Sequence, residues 1–221
     1  MPLTDERLTA IAEMLPVYRV IADIGADHGR LGASLILTGK CEKVWFSDLS
    51  APSLEKARAL ADRLKLKDRA EFFVGDGALA LPSPPDAAVI AGMGGTTIAQ
   101  IVQNGKEILR NSHIVMEPNV GAPELRKSLA QNGFRITDER IVRAARRWYV
   151  LISAKEGRAE YSPEERIVGP CLLQKGGEIL KQYGEFRLRV AEKALAGALK
   201  SENAETEELR REAAVWKGIC K

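Results

Sequence analysis

The stretch that most constrains this chain is Val20-Ile21-Ala22-Asp23-Ile24-Gly25-Ala26-Asp27-His28-Gly29, an apolar run that reaches an acid and opens into a turn of small residues. Arg30-Leu31-Gly32-Ala33-Ser34-Leu35-Ile36-Leu37 then follows as a helix. Strand, tight loop and helix start form the repeating unit of an open α/β sheet, in which ligands bind outside the carboxyl ends of the strands. Gly25 and Gly29 lack a Cβ and allow backbone to approach a ligand closely. Taken alone, the same turn serves equally well as a packing device.

The unit recurs along the chain. A helix over residues 3–15, with Thr4 as candidate N-cap, stops at Pro16. Strands are predicted at residues 20–24, 44–48, 71–74, 86–91 and 113–116, the fourth apolar throughout as for a strand buried on both faces. Helices fall between them, from Arg30 to Thr38 with Gly39 as C-cap, at 53–64, from Thr96 to about Leu109, and from Pro123 to Gly133. Two further strands, 134–142 and 148–153, read as a closing antiparallel hairpin with a basic connection, Arg143-Ala144-Ala145-Arg146-Arg147. The expected fold is therefore a doubly wound α/β sheet with right-handed crossovers.

Past residue 155 the composition shifts and strand signals end. Residues 164–182 read as a helix broken by Gly169-Pro170 and Gly176-Gly177, and 184–217 as two antiparallel helices with a turn at 201–206. The expected domains are 1–155 and 156–221.

The loops after the strands carry the chemistry. Their spacing is not Gly-x-Gly-x-x-Gly, which disfavours a nicotinamide-dependent dehydrogenase. It is nearer the Asp-x-Gly-x-Gly pattern of S-adenosylmethionine sites, with Asp27 standing where the second glycine usually falls. Asp48, about 20 residues past the turn, stands where an acid accepts from ribose hydroxyls; capping of the next helix is the alternative, better served by Ser50 or Ser53. Asp76, between Gly75 and Gly77, is either an acceptor for an adenine amino group or a plain turn acid. Gly92-Met93-Gly94-Gly95 is the densest flexible site in the chain, read as an approach to a reacting group by bare backbone N–H groups rather than as packing alone.

Composition narrows the class. A net charge of +3 is compatible with a nucleic-acid partner and equally with an ordinary solvated surface. Cys41, Cys171 and Cys220 have neither metal nor redox spacing, and two histidines, His28 and His113, exclude a His-rich metal site. With no leader pattern and no apolar run of membrane-spanning length, a cytoplasmic protein is expected, without metal, and monomeric.

Ala22-Asp23-Ile24-Gly25-Ala26-Asp27-His28, Ala91-Gly92-Met93-Gly94-Gly95 and Pro118-Asn119 together resemble the bacterial TrmK family, class I S-adenosylmethionine-dependent tRNA (adenine-22-N1) methyltransferases. The resemblance covers nearly the whole chain. It implies a seven-stranded Rossmann-like domain followed by a helical, coiled-coil-like domain, with S-adenosyl-L-methionine as cofactor and tRNA as partner. It places Asp23, Gly25 and Asp27 at the cofactor's methionine end, and Asp48, beside Leu49, at the ribose. Gly75, Asp76 and Gly77 would face the adenine ring; Gly92, Met93 and Gly94 would lie near the transferred methyl. Two departures stand out. The family usually has Gln-Pro-Asn where this chain has Glu117-Pro118-Asn119, and Asp-His-Ala-Tyr-Leu where it has Asp27-His28-Gly29-Arg30-Leu31.

Methyl transfer from a sulfonium is largely a positioning task. Methylating adenine N1 makes the ring cationic, so a nearby carboxylate would stabilise it. Asp27 is the first candidate and Glu117 the second, with His28 and Asn119 completing the catalytic set; Asp27 as a turn cap or an amino-group ligand, and His28 as a structural residue, are the alternatives. His113 is expected to matter for packing. N1 lies on the Watson–Crick edge, so the base must be unpaired or extruded. Arg7, Arg30, Arg140, Arg143, Arg146 and Arg147 are candidate phosphate contacts, the 140–147 cluster foremost. Methylation of another RNA or a small molecule, and a non-catalytic binding module, are the competing readings.

Overall fold

The computed structural model describes residues 5–199 and 206–221, in two compact units, Met1–Glu160 and Tyr161–Lys221. The first unit is a seven-stranded sheet. Its strands are β1 (Tyr18–Ile24), β2 (Cys41–Asp48), β3 (Ala70–Val74), β4 (Ala87–Gly94), β5 (His113–Val120), β6 (Phe134–Ala144) and β7 (Arg147–Glu156), in the order β3-β2-β1-β4-β5-β7-β6. The first five are parallel, and β7 runs antiparallel to both β5 and β6. The order reverses between β1 and β4, the switch point at which such sheets bind ligands.

Helices α1 (Glu6–Glu13), α2 (Arg30–Leu37) and α3 (Ala51–Arg63) bury Leu8, Ile11, Leu35, Leu54 and Ala57 against one face, where Ile21, Val89, Val115 and Leu151 project. Right-handed crossovers put α4 (Gly95–Asn104), α5 (Lys106–Leu109) and α6 (Ala122–Gln131) over the other face. The strand core is sealed: Ile21, Ala22, Ala87 to Ile90 and Ile114 to Met116 have no exposed surface. This is the doubly wound class expected from the strand-and-helix pattern.

Local chemistry set several boundaries differently. Leu3 and Thr4 lie outside the described residues, and the α1 cap is Asp5, whose side chain accepts from the Arg7 and Leu8 N–H groups. Ser50 caps α3 through the Ser53 N–H, which leaves Asp48 free of that duty. The expected helix from Thr96 to Leu109 breaks at Gly105, where a Cβ would meet the Ala78 Cβ at 2.4 Å. The connection expected over 143–147 is a two-residue turn. Ala145 and Arg146 both have positive φ (47° and 65°), the type I′ geometry that matches strand twist, and the strands therefore pair up to Ala144 and Arg147.

Strand β5 continues through Pro118 because β4 bulges opposite it, with register shifts between Ala91, Met93 and Gly94. At the other end of β5, His113 does more than pack. Its Nδ1 pairs with the Tyr18 hydroxyl at 2.9 Å and its Nε2 with Ser153 Oγ at 2.6 Å, a polar chain at the amino end of the sheet that is half-buried at Tyr18 and buried at Ser153.

The second unit contains α7 (Pro163–Val168), α8 (Pro170–Lys175), α9 (Glu178–Ala198) and α10 (Glu207–Ile219). Both expected breaks occur, at Gly169 and at Gly176-Gly177. A reciprocal Ser162–Glu165 capping box starts α7. Helices α9 and α10 run antiparallel: Trp216 is buried edge-on against Tyr183 (5.5 Å between ring centroids), and Arg187 pairs with Glu212. Of the turn expected over 201–206, residues 201–205 lie outside the described residues. Among the described residues, no helix is long and apolar enough to cross a membrane.

Candidate active site

Four loops meet at the carboxyl edge of β1, β2, β3 and β4. The turn after β1 is held by Gly25 and Ala26 N–H groups donating to the Ser47 carbonyl at the end of β2. It needs positive φ at three alternating positions, Gly25 (74°), Asp27 (45°) and Gly29 (67°). Asp27 thus adopts a left-handed backbone, a conformation that Asp tolerates better than most residues because its short side chain bonds locally. A Cβ on Gly25 would stand 1.8 Å from Met93 Cε, so this glycine also makes room for the β4 loop.

Asp48 ties the loops together. Its Oδ2 accepts from the Asp27 N–H (3.1 Å), its Oδ1 from the Ser50 N–H (2.8 Å), and its carbonyl from the Gly75 N–H (3.0 Å). Ser47 Oγ donates to the Gly77 carbonyl (2.9 Å), fixing the loop after β3. The result is a cavity of about 460 Å³, within the roughly 300–1,000 Å³ range of small-molecule sites. Gly25, Asp48, Leu49, Asp76, Gly77 and Met93 line it, together with Ile24 and the Thr96, Thr97, Gln100, Ile101 and Asn104 side of α4.

Six of the candidate cofactor residues thus share one cavity. Asp27, Gly75, Gly92 and Gly94 do not line it, and Asp23 lies beneath. The Asp23 side chain is buried, and its Oδ2 accepts from the Gly32 N–H at 2.9 Å in the first turn of α2. Burial pushes its carboxyl up to about 7 against the pull of that N–H, and the nearby Asp48 charge adds to the rise. Its visible work is to pin α2 to the end of β1. Sequence reading passed over the α4 residues. Thr97, Gln100, Ile101 and Asn104 share one helical face, but a mixed polar and apolar face has no mark that separates it from a solvated border.

The glycine-rich loop divides into separate tasks. Gly92 has φ 78° and is the extra residue of the β4 bulge. A Cβ on Gly92 would find only Arg7 Nη1 within reach, at 3.9 Å, so the space above it is open to a reacting group. Gly95, in contrast, is a packing glycine, since a Cβ there would stand 2.0 Å from the Gly121 carbonyl oxygen.

Beside Gly92 lies a buried ion pair. Glu117, fully buried at the end of β5, accepts through Oε2 from Arg7 Nη1 (2.8 Å) and from the Gly92 N–H (3.0 Å). Burial raises its carboxyl above the usual range, while Arg7 and the Gly92 N–H pull it back. The Arg7 guanidinium also lies over the Tyr149 ring, 5.4 Å from its centroid. Asp27 and His28 are exposed and paired with each other through Oδ2 and Nδ1. Asn119 is exposed at the end of β5.

The arginines do not form one patch. Arg7 is engaged by Glu117, and Arg140 by Glu13 (3.3 Å) and Asp138 (3.6 Å). Arg30 is exposed at the start of α2. Arg143, Arg146 and Arg147 are exposed around the β6–β7 turn, with Arg143 over the Trp148 ring. The antiparallel register of β5 and β7 carries this turn to the carboxyl edge of the sheet, beyond Glu117.

Residues 4–152 match the methyltransferase-domain family. A putative tRNA methyltransferase of Mycoplasma pneumoniae is 32% identical over 175 residues, covering 76% of this chain and 80% of the relative. The tRNA (adenine(22)-N(1))-methyltransferase of Bacillus subtilis is 28% identical over 187 residues, covering 80% of this chain and 79% of that protein. Among solved structures, a putative tRNA (m1A22) methyltransferase of Streptococcus pneumoniae in complex with S-adenosyl-L-methionine has a TM-score of 0.88 at 23% identity, covering 100% of both chains, a likeness of fold.

Proposed function

Since this chain belongs to the methyltransferase-domain family, we propose that it transfers a methyl group from S-adenosyl-L-methionine to N1 of an adenine in tRNA, the D-arm adenine at position 22. The observation that carries the reading is the cavity at the β1/β4 switch point, lined by Asp48 and by Met93 of the β4 bulge. Similarity to the B. subtilis enzyme supports the substrate.

The cavity suits a nucleoside that carries an amino-acid arm. Two N–H donors already hold the Asp48 carboxylate in place, and its remaining lone pairs would accept from ribose hydroxyls. Asp76 would accept from the adenine amino group, with Leu49 and Ile101 supplying apolar contact to the ring. Gly25 and Met93 would border the amino-acid arm. When bound, the cofactor supplies a methyl on a positively charged sulfur. The N1 lone pair of the substrate adenine forms the new bond in line with the breaking carbon–sulfur bond, and the positive charge passes to the ring with no proton transferred. This chain's residues therefore act by alignment and charge. The backbone beside Gly92 leaves room for the base, and Glu117 lies one hydrogen bond from it.

Asp27, His28, Glu117 and Asn119 are the proposed catalytic set. Arg140, Arg143, Arg146 and Arg147 on the hairpin, with Arg30 and Arg7, are the proposed RNA contacts. The deciding experiment incubates purified protein with radiolabelled S-adenosyl-L-methionine and unmodified bulk tRNA, followed by nucleoside analysis. Labelled 1-methyladenosine is expected. Cofactor binding without transfer to any tRNA would refute the reading. Asp27→Ala separates two roles: loss of cofactor binding marks an anchor, and retained binding with lost turnover marks action on the base.

A further inference from the structure

Glu117 is left with one unused bond. Its Oε2 is satisfied twice, by Arg7 and by Gly92, but its Oε1 is buried with no hydrogen-bond partner. A buried carboxylate oxygen without a donor is costly, and native structures rarely keep one without a reason. The oxygen belongs to a carboxylate 3.0 Å from the Gly92 N–H, next to Met93 on the cavity wall. Of the ion pair, the Arg7 side chain is the member that reaches solvent (23% exposed against none for Glu117).

Resting on the adenine-N1 reading above, we propose that Glu117 selects the base: with Arg7 lifted from it, Oε1 accepts a hydrogen bond from the exocyclic 6-amino group adjacent to the methylated N1. The chemistry fits adenine and excludes guanine. On the Watson–Crick edge adenine presents an N6–H donor beside the N1 lone pair, whereas guanine presents the O6 acceptor, which a carboxylate repels. The same carboxylate then faces the cationic ring that methylation creates, so selection and stabilisation come from one group. Arg7 is the resting counter-ion. Its guanidinium spans Glu117 and the Tyr149 ring on β7, and the phosphates of an arriving RNA compete for it.

The test is a cycle between protein and substrate. Wild type, Glu117→Ala and Glu117→Gln are compared on tRNA transcripts carrying either adenosine or purine ribonucleoside, which lacks the 6-amino group, at the methylated position. Single-turnover rates are measured, together with transcript affinity in the presence of S-adenosyl-L-homocysteine; the affinity serves even where turnover is lost. The intrinsic difference between the two bases cancels in the cycle. The wild type should favour adenosine over purine by about tenfold or more beyond the preference of either variant. In Glu117→Gln, Arg7 and the Gly92 N–H hold the amide oxygen, so its NH₂ faces the base and selection falls there as well. A purely structural Glu117 would lower both substrates alike, and an unchanged adenosine-to-purine ratio in both variants overturns the proposal. A wild-type enzyme that makes no 1-methyladenosine overturns the tRNA reading itself, a distinct result visible in the control.

Discussion

Replacing Asp23 with Asn removes a buried charge from beneath the β1 turn and nearly preserves its outline. The Asp23 carboxyl titrates near 3.8 when unperturbed and is raised to about 7 in the folded protein by burial. Between these values the unfolded chain has released a proton that the folded chain retains. Raising the pH through that window therefore favours unfolding, and the cost is fully present above about pH 7. A difference of about 3 units at 1.36 kcal/mol each amounts to about 4 kcal/mol. Asn cannot ionise, and its side-chain oxygen still accepts from the Gly32 N–H, as Asp23 does at 2.9 Å. Urea unfolding of both proteins from pH 4 to 8 measures the effect. The wild type should lose about 4 kcal/mol more than Asp23→Asn over this range. The fit of the new amide shifts the variant's stability equally at every pH and leaves this difference intact. Parallel pH profiles, within about 1 kcal/mol of each other, would refute the raised titration of the buried Asp23 carboxyl.

Other perturbations test the remaining geometry. Gly95→Ala drives a Cβ to 2.0 Å from the Gly121 carbonyl oxygen, a backbone atom that cannot swing aside; a loss of about 1–3 kcal/mol is expected in urea unfolding, and a neutral result would contradict the close packing of α4 on the β5–α6 loop. Asp27→Gly relieves a positive φ of 45° and should stabilise the fold by up to about 1 kcal/mol, with a lowered thermal midpoint as the contrary outcome. Cys41 is buried with its thiol pushed up to about 12, so Ellman's reagent at pH 8 should spare it in the native protein and label it after denaturation; rapid native labelling would contradict its burial. Reversing Arg146 and Arg147 to Glu should weaken tRNA binding and flatten its salt dependence by about 1–2 units of log K per log salt, with cofactor affinity unchanged. Equal tRNA affinity would remove the hairpin from the RNA contacts.

Local periodicity carried much of this fold. An apolar run ending in Asp23 or Asp48 and followed by a helical stripe marks a βα unit wherever it occurs, because strand and helix faces repeat over a few residues. The glycine breaks at 169 and 176–177 were legible for the same reason. The strand ends were not. Pro118 suggests a stop, yet β5 runs on through it because β4 bulges at Gly92 on the neighbouring strand. Likewise the hairpin connection shrinks to two residues because the pairing of β6 with β7 persists to Ala144 and Arg147.

The candidate site divides along the same line. From sequence alone came the strand-end loops and the residues in them that now surround one cavity, Gly25, Asp48, Leu49, Asp76, Gly77 and Met93, because in a doubly wound sheet every strand-end loop reaches the same edge. Only the tertiary structure decided that Asp23 is turned inward to hold α2, that one face of α4 closes the cavity, and that Arg7 and Glu117, 110 residues apart, form a buried pair beside Gly92. Burial and partnership are properties of packing between distant segments. No local pattern records which carboxylate faces a helix N–H, which faces an arginine, and which retains a free oxygen.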